Sequence, residues 1–198
     1  TFYDFAGKYL VAPGLLTLGL IRLFHAAIAS PRLPLLWHPL LLMNHLTIVS
    51  TLAYVWEQKR PAVTKAHRVA IGCGLGIIDA ILIGLFYLRR SHGQSFIATM
   101  WITPGLLLPV AAIVGFAVIA AIIIWRSKSY RGVGRQLWLA GLLWLIVYDA
   151  SFVAAYVSAA WAGVIVCLLP VAYAGLKILS WGSGLAALTH RPEFRRAE

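Results

Sequence analysis

Cysteine is nearly absent from this sequence, and the usual metal-binding patterns are missing. Its 198 residues include only Cys73 and Cys167, and each falls inside an apolar stretch. A disulfide framework is therefore not expected, and we expect both side chains to be small core residues. Neither a CxxC nor an HExxH pattern occurs, so a catalytic zinc site is not expected.

Acidic residues are also scarce. Six Asp and Glu residues stand against 17 Lys and Arg residues, which gives a net charge of +11. The cations are distributed among short loops and form no Lys/Arg-rich run, so nucleic acid is not expected as a partner. Basic loops on one side of a membrane explain this charge better.

Long apolar runs dominate the chain, 61% of which is hydrophobic. A membrane-spanning helix needs about 20 apolar residues. The pattern predicts an all-α, polytopic transmembrane helical bundle, forming a single domain over residues 1–198 of a multi-pass integral membrane protein. Its six predicted spans are residues 9–29, 35–56, 69–88, 104–125, 136–158 and 164–185. Residues 57–68 are predicted to be a charged connection, 96–103 an interfacial lead-in and 159–163 a short link.

The loop cations predict the orientation of the bundle, because cytoplasmic loops retain Lys and Arg. With both visible termini in the cytoplasm, only Arg32, Arg89 and Arg90 are left in outer loops. The chain begins at Thr1 rather than at a methionine, which leaves room for a seventh, earlier span. In the third span, Gly72 and Gly76 form a GxxxG pair, which predicts close approach of a neighbouring helix.

The most informative stretch is WLIVYDASF, residues 144–152, which places Asp149 among apolar neighbours. An ionised carboxylate at the centre of a membrane helix costs roughly 2.5 to 3.5 kcal/mol on insertion scales, so Asp149 needs a partner or a function. With a rise of about 1.5 Å per residue, several polar groups are predicted to share nearly one depth. This predicted polar layer comprises Arg22, Asn44, His45, Asp79, Asp149 and Lys177.

Two interpretations of the layer remain open. Its two carboxylates and two cations can form an ion-pair and hydrogen-bond network that only stabilises the bundle. Alternatively, the layer surrounds a cavity with a function. In that case aromatic side chains are predicted to line the apolar part of the cavity: Trp144, Tyr148, Phe152, Tyr156 and Tyr173.

No cofactor is expected. Haem needs two imidazoles on facing helices, whereas His38 and His45 are seven residues apart on one helix; only His25 is placed to face His38. Lys177 resembles a retinal-binding lysine only in its depth, and the aromatic residues expected around retinal are not obviously placed.

The functional hypothesis is an intramembrane enzyme that acts on an isoprenoid, sterol or quinone-type molecule by carboxylate acid/base chemistry, as in cyclisation or isomerisation. The predicted catalytic residues are Asp149, Asp79 and His45. The predicted substrate-binding residues are Arg22, Asn44, Trp144, Tyr148, Phe152, Tyr156, Tyr173 and Lys177. A proton-coupled transporter and a non-catalytic subunit are the alternatives. The expected partners are the lipid bilayer and a hydrophobic substrate, and a homo-oligomer or a larger membrane complex is compatible with the sequence.

Overall fold

The computed structural model describes residues 10–29, 36–58, 62–88, 102–127 and 130–189. These residues form helices joined by short connections, and no strand occurs among them. The helices are α1 (Val11–Ala29), α2 (Trp37–Trp56), α3 (Lys65–Leu88), α4 (Leu107–Arg126), α5 (Tyr130–Tyr156), α6 (Ala159–Val166) and α7 (Leu168–Thr189); a single 3₁₀ turn, Pro104–Leu106, precedes α4.

Within the described ranges, six helical stretches are long and apolar enough to cross a membrane, so the predicted helical bundle and its number of spans are confirmed. Helices α1 to α3 and α5 each contribute one stretch. The 3₁₀ turn continues into α4 as the fourth, and α6 continues into α7 as the sixth. The predicted lead-in lies outside the described residues except for Ile102 and Thr103, which precede the 3₁₀ turn.

Three helices start earlier than predicted: α5 begins at Tyr130 rather than at residue 136, and α3 and α6 are extended by local capping signals. Helix α3 starts inside the predicted connection, where Thr64 and His67 each accept a hydrogen bond from the other's backbone N–H at 3.2 Å. This reciprocal pair is a capping box with histidine in the third helical position. Helix α6 starts inside the predicted link, since the hydroxyl of Ser158 accepts a bond from the N–H of Ala160.

Helix α2 lies at the centre of the fold. It packs against α1 and α5, and its side chains also contact α3. Of its span, 56% is buried, whereas only 6% of the span that contains α4 is buried. The outer faces of α3, α4 and α7 expose large apolar side chains, including Leu88, Leu107 and Leu179. Such faces are stable against lipid tails, and α2, whose span is the most buried of those in the described residues, lies in the protein interior.

Close packing of α2 on its neighbours depends on glycines. A methyl group on Gly134 of α5 would lie 2.8 Å from the backbone oxygen of Ala53, and one on Gly141 would lie 2.5 Å from Val49. A methyl group on Gly19 of α1 would likewise lie too close to the side chain of Thr47 and the backbone of Met43. The two α5 glycines are seven residues apart on one face. Because they have no side chains, this face of α5 can approach the backbone of α2 closely.

The predicted role of the GxxxG pair and of the cysteines was wrong. Nothing lies within 4 Å of a methyl group built on Gly72 or Gly76, because this face of α3 points away from the bundle. Cys73 and Cys167 are exposed rather than part of the core. Apolar neighbours in the sequence did not distinguish the protein interior from the lipid-facing surface, since both are apolar.

The glycine contacts predict opposite effects for two identical substitutions. Gly134→Ala should destabilise the fold by about 1 to 3 kcal/mol, since α2 and α5 must separate to admit the methyl group. Gly76→Ala should be neutral or stabilising by up to about 1 kcal/mol, because alanine favours helix and the site is open. Unfolding of both variants in mixed micelles, followed by helical circular dichroism, measures the difference. Equal stabilities would contradict the close α2–α5 contact.

Candidate functional site

Asp149 of α5 has a histidine partner on α2. Its Oδ1 atom lies 2.6 Å from Nε2 of His38, and the two side chains are 33% and 27% exposed. A nitrogen–oxygen separation this short requires one proton between the two atoms. The contact satisfies the carboxylate that the sequence identified, but with a residue that was not included among the predicted site residues.

The helix geometry explains why these two residues meet. Helices α2 and α5 run antiparallel, and His38 lies in the first turn of α2 while Asp149 lies two turns before the end of α5. The pair is therefore nearer one end of the bundle than its middle. Under the predicted orientation this is the outer end.

Aromatic rings border the His38–Asp149 pair on α5. The ring of Phe152 meets the imidazole of His38 edge to face, with 5.1 Å between centroids. Tyr156, one turn later, stacks on Phe152 at 6.3 Å. Phe152 and Tyr156 were predicted to line an apolar pocket; the structure places Phe152 beside His38 and Tyr156 behind it, against Phe152.

Asp79 of α3 forms a second pair with α2. The side-chain amide of Asn44 donates to both carboxyl oxygens of Asp79 at 3.0 Å, and also to the backbone oxygen of Leu40 at 2.9 Å. Both residues lie near the middle of their spans. The pair links α2 to α3 on a different face of α2 from the one that carries His38.

His45 is buried and held by two hydrogen bonds to α5. Its Nε2 atom lies 3.1 Å from the backbone oxygen of Gly141, and its Nδ1 atom lies 3.2 Å from the hydroxyl of Tyr148. A carbonyl only accepts, so Nε2 carries the proton; in the neutral ring Nδ1 then accepts from Tyr148. The rings of Phe116 and Tyr148 enclose the imidazole at 4.5 and 4.9 Å. This environment fixes His45 as a link between α2 and α5.

Trp144 also links helices. Its indole N–H donates to the backbone oxygen of Ala112 on α4 at 2.9 Å, and Gly115 leaves room for the ring. This hydrogen bond links α4 to α5, and the indole ring of Trp144 contacts the ring of Phe116. The structure thus divides the predicted aromatic pocket: Trp144 and Tyr148 lie in helix contacts, whereas Phe152 lies next to His38 and Tyr156 stacks on Phe152.

The remaining predicted residues lie elsewhere. Lys177 and Tyr173 of α7 line a groove against the first turns of α5, together with Arg135. The Nζ atom of Lys177 is 5.6 Å from the centre of the Tyr173 ring. Arg22 of α1 buries its Nε atom, which has no hydrogen-bond partner within the described residues. The six predicted polar groups therefore do not form one layer: Lys177 belongs to the groove, Asp149 pairs with His38, and Asp79 pairs with Asn44.

No group of three or more His, Cys, Asp or Glu side chains in the described ranges is arranged to hold a metal ion. No family model matches the sequence, and comparisons with curated proteins and with solved structures return no match.

The sequence contained one usable signal for the missed residue. His38 and His45 are seven residues apart and so share one face of α2. In the structure this face is turned towards α5, where His38 meets Asp149 and His45 meets Gly141. The sequence places the two histidines on one face, but it does not show which neighbouring helix that face contacts.

The pairing predicts the effect of removing the carboxylate. Asp149→Leu should lower the free energy of unfolding by about 1 to 2 kcal/mol, since His38 loses its hydrogen-bond partner across the helix contact. Asp149→Asn keeps an oxygen that accepts from His38 and should cost less than half as much. Unfolding in mixed micelles compares the variants, and a leucine variant as stable as the wild type would refute a stabilising pair.

Proposed function

We propose that this protein is an integral membrane enzyme that acts on a hydrophobic small molecule of the isoprenoid, sterol or quinone type. The reaction class is acid/base catalysis at the His38–Asp149 pair, in the form of a proton-initiated isomerisation or cyclisation. The observation that carries the proposal is the 2.6 Å contact between a carboxylate and an imidazole that are both partly exposed.

The pair can both donate a proton to the substrate and accept one from it. In the imidazolium–carboxylate form of the pair, one proton lies between Nε2 and Oδ1 and a second proton is on Nδ1 of His38. That N–H can donate to substrate, and the second carboxyl oxygen of Asp149 is left as an acceptor; neither atom has another hydrogen-bond partner in the described part of the chain. Nδ1 gives its proton to an olefin or epoxide at the start, which leaves a neutral imidazole, and recovers a proton from a neighbouring carbon at the end. The pair returns to its first state, and no net proton is consumed.

The neighbouring rings support a cationic intermediate. Protonation of an olefin leaves a carbocation, which the face of an aromatic ring stabilises within about 6 Å. Phe152 lies next to His38 and Tyr156 stacks on Phe152. A substrate dissolved in the bilayer reaches this position from the lipid, since both polar side chains are partly exposed at the edge of the α2–α5 contact.

Asp79 and His45, the other predicted catalytic residues, are less well placed for proton exchange. Asp79 accepts two hydrogen bonds from Asn44, and both ring nitrogens of His45 are occupied in a buried site. We infer that these two residues hold α3 and α5 against α2.

The experiment uses the full chain in lipid nanodiscs, supplied with a terminal olefin of the polyprenyl type, its epoxide, a sterol olefin and a prenylquinone. Isomerisation and cyclisation keep the mass of the substrate but change its retention time. Products of olefin protonation also take up deuterium in D₂O. His38→Gln and Asp149→Asn should lower turnover by at least about 100-fold, which is the usual contribution of a general acid or base.

The matched control is His25→Gln, which makes the same change at an exposed histidine of α1 and should keep wild-type turnover. Unfolding curves must show that all variants fold. Conversion that survives in both site variants would refute the proposal. So would an absence of conversion together with proton uptake into liposomes that Asp149→Asn abolishes, because that result indicates transport.

A further inference from the structure

A groove between α5 and α7 has the chemistry of a phospholipid site. It has a volume of about 610 Å³ and is lined by Gly132, Arg135, Gln136, Leu139, Tyr173, Leu176 and Lys177. Four of these residues belong to one face of α5, at positions separated by three, one and three residues. The other three belong to α7.

The polar side chains of the groove all suit an anion. The side chains of Arg135 and Lys177 are positively charged, and the side-chain amide of Gln136 supplies N–H donors. None of the side chains that line the groove is a carboxylate. A guanidinium and an ammonium on facing helices bind phosphate oxygens from two sides, the arginine through paired N–H donors.

The groove is amphipathic along its length. Leu139 lies one turn further along α5 than Arg135, towards the interior of the span, and Leu176 of α7 also lines the groove. A free phosphate contacts only the cations, whereas a phospholipid also fills the apolar wall with an acyl chain. The location suits a lipid, since the groove opens on the helix surface of a membrane-spanning bundle.

We propose that this groove binds the headgroup of an anionic phospholipid, with its phosphate between Arg135 and Lys177 and an acyl chain along Leu139 and Leu176. Under the predicted orientation the groove lies at the cytoplasmic end, where anionic lipids are concentrated and where basic pockets between helices bind them. The site is separate from the His38–Asp149 pair, and neither proposal depends on the other.

The test is native mass spectrometry of the delipidated full chain titrated with phosphatidylglycerol or with phosphatidylcholine of the same acyl chains. The wild type should bind phosphatidylglycerol at least about tenfold more tightly. In the double variant Arg135→Gln with Lys177→Gln, this preference should fall to less than about twofold. Both positions are exposed, so the variant should fold, and its melting curve verifies this.

The matched control is Arg68→Gln with Arg126→Gln, which removes two exposed cations outside the groove and should keep the preference. If this control loses the preference as fully as the groove variant, general surface charge explains binding and the proposal fails. A second arm titrates inorganic phosphate into the protein in detergent. Saturable binding that needs Arg135 and Lys177 would replace the lipid with a free anion and would also overturn the proposal.

Discussion

Polar side chains on one central helix constrain the whole structure. Helix α2 carries His38, Asn44 and His45 into a membrane-spanning bundle, where a polar group without a hydrogen-bond partner is costly. Each of them finds its partner on another helix: Asp149 and the Gly141 carbonyl on α5, and Asp79 on α3. Since these bonds leave α2 in different directions, α3 and α5 are fixed on separate sides of it.

Backbone packing and polar pairing reinforce each other along the α2–α5 contact. Gly134 and Gly141 allow the helices to approach, and the approach brings the Gly141 carbonyl within reach of His45. Towards the other end of the same contact, His38 and Asp149 stay partly exposed. The contact is thus closely packed at the two glycines and partly exposed where we propose that chemistry occurs.

The six spans were predictable because a helix needs about 20 apolar residues to cross the hydrocarbon core, and such runs are visible in the sequence. The sequence also showed that Asp79 and Asp149 needed partners, but it did not show which. Partner choice depends on helix rotation and register: Asp149 meets His38 rather than Lys177, and Gly134 packs closely while Gly76 faces outward. The cap at Thr64 was readable in principle, yet its histidine replaces the usual Glu or Gln.

The most direct test of this account is a double-mutant cycle on His38 and Asp149, measured by unfolding in mixed micelles. If the two side chains share a proton across the α2–α5 contact, the single variants His38→Ala and Asp149→Ala should not be additive. Their coupling free energy should be about 0.6 kcal/mol, the average measured for hydrogen bonds between membrane helices, and at most about 1.7 kcal/mol. A coupling of zero, with both single variants folded, would contradict the pairing on which the proposed function rests.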